Sequence, residues 1–196
     1  MVVTTVKTML FADLHRITGR ASWGQFLKQF VVGDTYRYNV ALRITAAGSG
    51  RPGIANRVGL FLGRIWLRRL RRTMGINIPW ATTIGPGLLI GHAGGIVVNA
   101  AATLGRDCNL SHNVTIGVTR GGRNPGVPTI GHRVYIGPGA VLVGAITVGD
   151  DAAIGANAVV TKDVPAGATA RGNPAEVFPG RGSGSYVNRR SEPVTR

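Results

Sequence analysis

A single cysteine, Cys108, rules out an internal disulfide. No apolar stretch reaches transmembrane length without an arginine interrupting it, and the N-terminus lacks the charged-then-apolar order of a signal peptide. The expected location is therefore the cytoplasm. Acidic residues are scarce, 8 against 23 Lys and Arg, giving a net charge of +15. Such a balance suggests nucleic acid until it is located along the chain. Residues 1–76 hold 13 basic and 2 acidic side chains, 77–177 hold 6 and 5, and 178–196 hold 4 and 1. The central segment is almost neutral and has no zinc-ligand spacing, aromatic platform motif or basic run, so nucleic-acid recognition is not expected. The chain also has no G-x-S-x-G nucleophile elbow and no Walker phosphate loop.

What the chain has in excess is glycine, 30 residues, much of it on a fixed beat. Between Ile84 and Gly172 an aliphatic side chain, usually followed by glycine, returns every six residues: IGPGLL, IGHAGG, LGRDCN, IGPGAV, VGDDAA, IGANAV. A half-buried strand has period two and a helix 3.6, so six fits neither and marks a repeat architecture. The fourth residue after each anchor is also small or apolar. After Ile136, Leu142, Val148, Ile154 and Val160 these residues are Ala140, Ile146, Ala152, Ala158 and Val164. One large and one usually small inward side chain per hexad fit a triangular solenoid. Each hexad supplies a short strand and a corner, and three hexads make a coil. Glycine suits the strained, side-chain-free backbone that such a path needs.

The anchors fall at 84 and 90, slip by two residues, and resume at 98, 104, 110 and 116. They are lost through VTRGGRNPGVPT, residues 118–129, and return at 130, 136, 142, 148, 154 and 160, with 166 a candidate continuation. With each break taken as a local insertion, the anchors at 90, 110, 136 and 154 stack on successive coils. Residues 1–76 lack the rhythm and form a basic helical region, with helices expected around 22–32 and 55–73 separated by AAGSGRPG. Its expected role is to cover the open end of the solenoid at 77–177. In RIWLRRLRR, residues 64–72, arginines alternate with Ile65, Trp66, Leu67 and Leu70. That pattern either packs apolar side chains while the arginines stay wet, or rests peripherally on an anionic membrane. The tail 178–196, dominated by glycine, serine and charge, reads as disordered.

The same register sorts the candidate chemistry. Cys108 falls on an inward small position and reads as a buried, inert thiol. His92 and His112 each lie two residues after a stacked anchor, outside the interior and along one edge. His92 sits in GHAGG, where small neighbours leave room for a substrate. An imidazole there can take a proton from a hydroxyl or amine as that atom attacks a carbonyl, which makes His92 the candidate general base. His112 is a candidate substrate contact or an exposed loop histidine. His132 and His15 read as structural. Two histidines with no third ligand do not make a water-activating zinc site, so no metal is expected. The interruption at 118–129 is polar and carries Arg120 and Arg123, which suit phosphate or carboxylate beside a cleft, though an ordinary surface loop has the same composition. Thr161 and Lys162 offer a hydroxyl and a cation to a phosphorylated donor, or simply form a solvated turn. Positive charge can also steer a phosphate-rich cofactor.

Taken together, the anchors, GHAGGIVV, the VTIG step, the excursion before PTIG and the ending VTKDVPAGATARGNPA resemble the bacterial serine O-acetyltransferase branch of the hexapeptide-repeat acyltransferases. DLHRITG, WGQFLKQF and R-x-x-RR-x-x-GINIPW are similar to the helical leader of related acylating enzymes. The resemblance implies a left-handed parallel β-helix and a homotrimer or dimer of trimers, with acetyl-CoA held in grooves between neighbouring solenoids. It further implies direct acetyl transfer to a small hydroxyl acceptor, with His92 as base and Pro138 and Ala156 lining the CoA groove. Backbone amides around Gly117, Gly137 and Gly155 would bind pantetheine or polarise the carbonyl. Three positions depart from the family pattern. Gly91 replaces the aspartate before the histidine, Asn77 replaces a second aspartate, and Val127 replaces a histidine after the excursion. Asn77, a backbone carbonyl or a trimer neighbour is left to orient His92. The departures leave open a sugar or specialised-metabolite acceptor, and also a noncatalytic β-helix that only binds.

Overall fold

A computed structural model describes residues 5–49, 53–122 and 124–191. Four helices precede the repeat: α1 (Val6–Thr18), α2 (Trp23–Val32), α3 (Asp34–Gly48) and α4 (Ile54–Met74). Thr5 and Ser22 cap α1 and α2 by accepting the Thr8 and Gln25 amides, while Gly19 and Gly75 end α1 and α4 in the left-handed conformation that favours glycine. The helices expected near 22–32 and 55–73 are α2 and α4. The sequence pattern did not reveal α1 and α3, because neither shows a clean apolar stripe. Among the buried residues of α3 are Asn39, Arg43 and Thr45, and α1 buries Asp13 and Arg16 beside Leu10 and Leu14.

Residues 76–171 wind into a three-faced parallel solenoid. Ile76–Asn77, Ile96–Val98, Thr115–Gly117, Val141–Val143 and Val159–Val160 build the first face. Thr83–Ile84, Thr103–Leu104, Thr129–Ile130 and Thr147–Val148 build the second. The third runs from Leu89–Ile90 through Asn109–Leu110, Tyr135–Ile136 and Ala153–Ile154 to Thr169–Arg171. Ile90, Leu110, Ile136 and Ile154 are direct partners across this third face, so the expected stacking holds. Every anchor from Ile84 to Val160 is buried, and so are Ala140, Ile146, Ala152, Ala158 and Val164 between them, whereas Ala166, the candidate continuation of the series, is exposed because the chain turns there after Val164. At Gly85, Gly105, Gly131, Gly137 and Gly149 the glycine after an anchor is required by proximity rather than by a left-handed φ. At Gly137 a Cβ would lie 2.8 Å from the Ile154 carbonyl oxygen and 3.0 Å from the Gly155 carbonyl carbon of the next coil. Glycine at this position lets the coils stack at strand spacing, about 4.8 Å.

A buried ion pair fastens the helical region to the first coil. Asp13 accepts from Arg43 Nε and Nη2 at 3.0 and 3.1 Å and from the Gly87 and Leu88 amides at 2.9 and 2.8 Å. Arg43 donates in turn to the Ile84 and Gly85 carbonyls at 2.7 and 2.6 Å. Burial pushes the Asp13 carboxyl up, and Arg43 and the two amides oppose that shift. Asn39 adds a bond to the Leu88 carbonyl, and the Tyr38 hydroxyl donates to that of Ile78. With these bonds α1 and α3 close the upstream end of the apolar prism.

The disorder expected for 178–196 is not what residues 178–191 adopt. Glu176–Phe178 returns antiparallel along Thr169–Arg171, and Ser183 and Val187 are buried. Tyr186 stacks on Tyr135 with ring centroids 4.4 Å apart. Ser191 donates to Asp107 through its amide and hydroxyl, and Arg190 reaches Asp151 at 3.5 Å. Composition misled here because two apolar side chains and a few polar contacts suffice when a preformed face supplies the partners. The remainder of the tail lies outside the described residues.

Candidate functional site

The chain passes from the third face to the first through one corner per coil, and four corner residues lie in line. His92, His112, Pro138 and Ala156 each stand two residues beyond Ile90, Leu110, Ile136 and Ile154. His92 is exposed and His112 half-buried, their rings edge-to-face with centroids 6.1 Å apart. Gly91, Ala93, Gly94 and Gly95 surround His92 with little side-chain bulk. The corner itself is rigid: the Gly91 amide donates to Leu110, that of Ser111 to Ile136, and that of Gly139 to the His112 carbonyl. Two imidazoles are thus presented to solvent from a fixed backbone. Among the described residues, no side chain hydrogen-bonds the His92 ring, and no three His, Cys, Asp or Glu residues cluster.

Gly137 and Gly155 share this edge, but their amides do not point free. The Gly137 N–H donates to Ile154 and the Gly155 N–H to Ala170, both at 2.8 Å. Coil-to-coil bonding thus occupies these two N–H groups, and a donor to pantetheine or to an acyl carbonyl would be another of the amides around Gly117, Gly137 and Gly155. The contribution of Gly137 and Gly155 to this edge is the absence of a side chain.

The remaining candidates occupy the opposite edge of the first face. Residues 118–122 and 124–128 leave the coil between the first and second faces, held by paired Thr119 and Gly126 and by a bond from the Ala145 amide to the Asn124 carbonyl. Thr119, Gly121, Gly122, Asn124, Thr161 and Lys162 border a cavity of about 300 Å³ whose floor is Val143 and Gly144. Gly117 ends the first-face strand at that edge. Arg120 is exposed on the excursion, and Arg123 lies outside the described residues. Up to about 20 Å of near-extended chain, six residues at 3.3 Å each, separates His112 from the start of the excursion at Val118. Thr161 and Lys162 thus border the excursion's cavity, whose lining includes neither His92 nor His112, and the strand Thr115–Gly117 lies between the two edges.

Asn77 lies beside Val97 at the start of the first face, and its Oδ1 is buried with no hydrogen-bond partner among the described residues. It borders a cavity with Trp80 and four arginines of α4 rather than bonding His92. The sequence offered the run RIWLRRLRR but not this convergence, which depends on α4 lying against the first coil. Cys108 is fully buried with its thiol directed at the Gly131 carbonyl, 3.2 Å away, and burial pushes it up to about 12. His132 is structural: its Nδ1 accepts the Arg106 amide at 3.0 Å and its own amide donates to Asp150. No helix among the described residues is long and apolar enough to cross a membrane.

Comparison with known proteins identifies this architecture. Residues 128–162 match the bacterial transferase hexapeptide (six repeats) model. Over 118 residues the chain is 43% identical to serine acetyltransferase of Helicobacter pylori strain ATCC 700392 / 26695, covering 60% of this chain and 69% of that protein. The fold superposes on soybean serine acetyltransferase complexed with serine at a TM-score of 0.72 and 29% identity, covering 88% of this chain and 69% of that one. A serine acetyltransferase in complex with CoA gives 0.70 and 28% over the same shares, 88% and 69%. The solenoid is the left-handed parallel β-helix of these enzymes. With two thirds of a relative covered at this identity, the chain belongs to the serine acetyltransferase family of hexapeptide-repeat transferases.

Proposed function

We propose that the protein transfers the acetyl group of acetyl-CoA to the hydroxyl of L-serine or a closely related amino acid, with His92 as general base. The observation that carries this reading is the corner of His92 and His112, exposed, framed by small residues and continuous with Gly137, Pro138, Gly155 and Ala156. His92 takes the hydroxyl proton as the oxygen attacks the thioester carbonyl carbon. When the tetrahedral adduct collapses, the C–S bond breaks and the imidazolium returns its proton to the departing CoA sulfur. No covalent enzyme intermediate is needed, in keeping with a site that offers two imidazoles and no nucleophile elbow. The CoA-bound relative supports acetyl-CoA as donor.

The outward residues of the three faces support a homotrimer. Threonines 83, 103, 129 and 147 line the second face, and α1 and the returning tail reach the third through Arg16 and Tyr186. The first face turns out Val97, Val141 and Val159, with Val97 44% exposed, and packing it on a neighbour buries that apolar strip. Such packing sets the His92 edge of one copy near the excursion edge of the next, so that Thr161, Lys162 and Arg120 meet CoA phosphates while Pro138 and Ala156 line its pantetheine arm. The two edges described above are separate in one chain and complementary between chains. A cytoplasmic location accords with free acetyl-CoA as donor.

A second reading, O-acetylation of a sugar hydroxyl, is favoured by Asn77, Gly91 and Val127, which leave no carboxylate beside His92 to hold an ammonium group. A panel of L-serine, homoserine, amino sugars and nucleotide sugars, assayed by CoA release, separates the two. Saturable turnover of L-serine supports the first reading, and turnover confined to sugars replaces it. In either case His92→Ala should lower the turnover number by roughly two to four orders of magnitude. Near-normal turnover in that variant would remove His92 from the chemistry.

A further inference from the structure

The 21-residue helix α4 buries Gly63 and Leu67 inward and leaves its opposite face open. On that face Ile54, Val58, Phe61, Leu62 and Ile65 recur at helical spacing, each between 51% and 81% exposed. They make one apolar stripe roughly 17 Å long at 1.5 Å per residue. The following turns of the same face carry Arg68, Arg69 and Arg72, and the whole helix holds six arginines and no acidic residue. Beside the stripe, Arg64, Arg68, Arg71 and Arg72 border the cavity of about 600 Å³ that also contains Asn77 and Trp80. Arg64 lies 4.7 Å over the Trp80 ring, and the unpartnered Asn77 Oδ1 offers an acceptor to a hydroxyl-bearing group.

We propose that α4 docks the protein on an anionic lipid surface. The apolar stripe enters the boundary between headgroups and acyl chains, and the arginine cavity holds lipid phosphate. Charge selects this occupant over a second copy of the chain. Residues 1–76 carry 13 basic and 2 acidic side chains, and two such surfaces face to face would oppose like charges. The helix lies on the surface rather than through it, since its arginines interrupt every apolar stretch of spanning length. The apolar stripe of residues 54–65 includes no residue of the His92 corner, while the arginine cavity beside it shares Asn77 with the first face.

Co-sedimentation of the full-length protein with vesicles tests the proposal. Binding is expected to phosphatidylcholine vesicles containing phosphatidylglycerol, to be at least tenfold weaker to phosphatidylcholine alone, and to fall as salt rises. Phe61→Ser combined with Ile65→Ser should weaken binding by roughly tenfold or more while the melting temperature holds, because both side chains are already exposed. Arg68→Gln combined with Arg72→Gln should remove the preference for phosphatidylglycerol. Equal binding to neutral and anionic vesicles, or wild-type binding by the Phe61/Ile65 variant, overturns the proposal. It is also overturned if light scattering shows that variant splitting an assembly while vesicle binding is unchanged, which assigns the stripe to a second copy.

Discussion

Replacing Asp13 by Ala should be among the most damaging single changes outside the solenoid. The side chain is fully buried and its partner Arg43 is only 5% exposed. Asp13 accepts four hydrogen bonds, two from the guanidinium and two from the Gly87 and Leu88 amides. Its removal leaves the Arg43 charge buried against the Ile84 and Gly85 carbonyls alone and orphans both amides. Breaking one side of such a pair costs about 3–5 kcal/mol, a large share of the roughly 5–15 kcal/mol that holds a typical domain together. At about 2–4 °C per kcal/mol for a chain of this size, the melting temperature should fall by roughly 6–20 °C. Calorimetry on Asp13→Ala, Arg43→Met and the double variant gives the coupling. The double should cost less than the sum of the singles by at least about 1.5 kcal/mol, because neither charge is then stranded. Hydrogen exchange should accelerate at Gly87 and Leu88 and stay slow at Leu142 in the middle coils. Additive singles, or a loss below about 1 kcal/mol for Asp13→Ala, would refute the clamp.

The other predictions concern the outer layer and the acceptor. The Arg133 guanidinium, bonded to Asp151 at 2.8 and 2.6 Å, holds the Asp151 carboxyl below the usual carboxylate range. With the folded value depressed, this stabilisation is present above the ordinary carboxylate pKa of about 4 and is lost as pH falls through the lowered one. Asp151→Asn should therefore lower the melting temperature slightly at pH 7, with a loss that shrinks as pH falls below about 4, and a loss that stays constant through acid pH would contradict the assignment. At Gly91 a Cβ would meet only the Leu110 carbonyl oxygen, 3.9 Å away, at a backbone angle open to any residue. Gly91→Asp should fold as the parent does and raise kcat/KM for L-serine relative to uncharged hydroxyl acceptors about fivefold, the worth of an exposed ion pair of about 1 kcal/mol. No change in that ratio would place the amino group elsewhere.

The repeat was legible because each hexad states its own geometry. An aliphatic residue, a glycine and a small residue four places on recur often enough to assign inside and outside, and the stacking of Ile90, Leu110, Ile136 and Ile154 followed from counting alone. The helical region obeys no such local rule. The Asp13–Arg43 pair spans thirty positions and joins a third segment at Gly87 and Leu88, so nothing in any one stretch announces it. Buried polar residues of this kind also erase the apolar stripe that reveals a helix, which is why α1 and α3 escaped notice.

The placement of the candidate residues was legible to the same depth as the repeat, and for the same reason. Register placed His92 and His112 on one edge, where their rings meet, but it is silent about atoms between coils. It could not show that the Gly137 and Gly155 amides are spent on Ile154 and Ala170, since that bond pattern belongs to the neighbouring coil. Nor does one chain's register bring the excursion to His92. On the proposed trimer, the excursion edge that would take the donor's phosphates and the His92 edge are joined by a neighbouring copy across the outward valines. That proposal binds catalysis to assembly: a substitution such as Val97→Lys, which touches neither His92 nor the excursion, should cost activity in step with the loss of trimer.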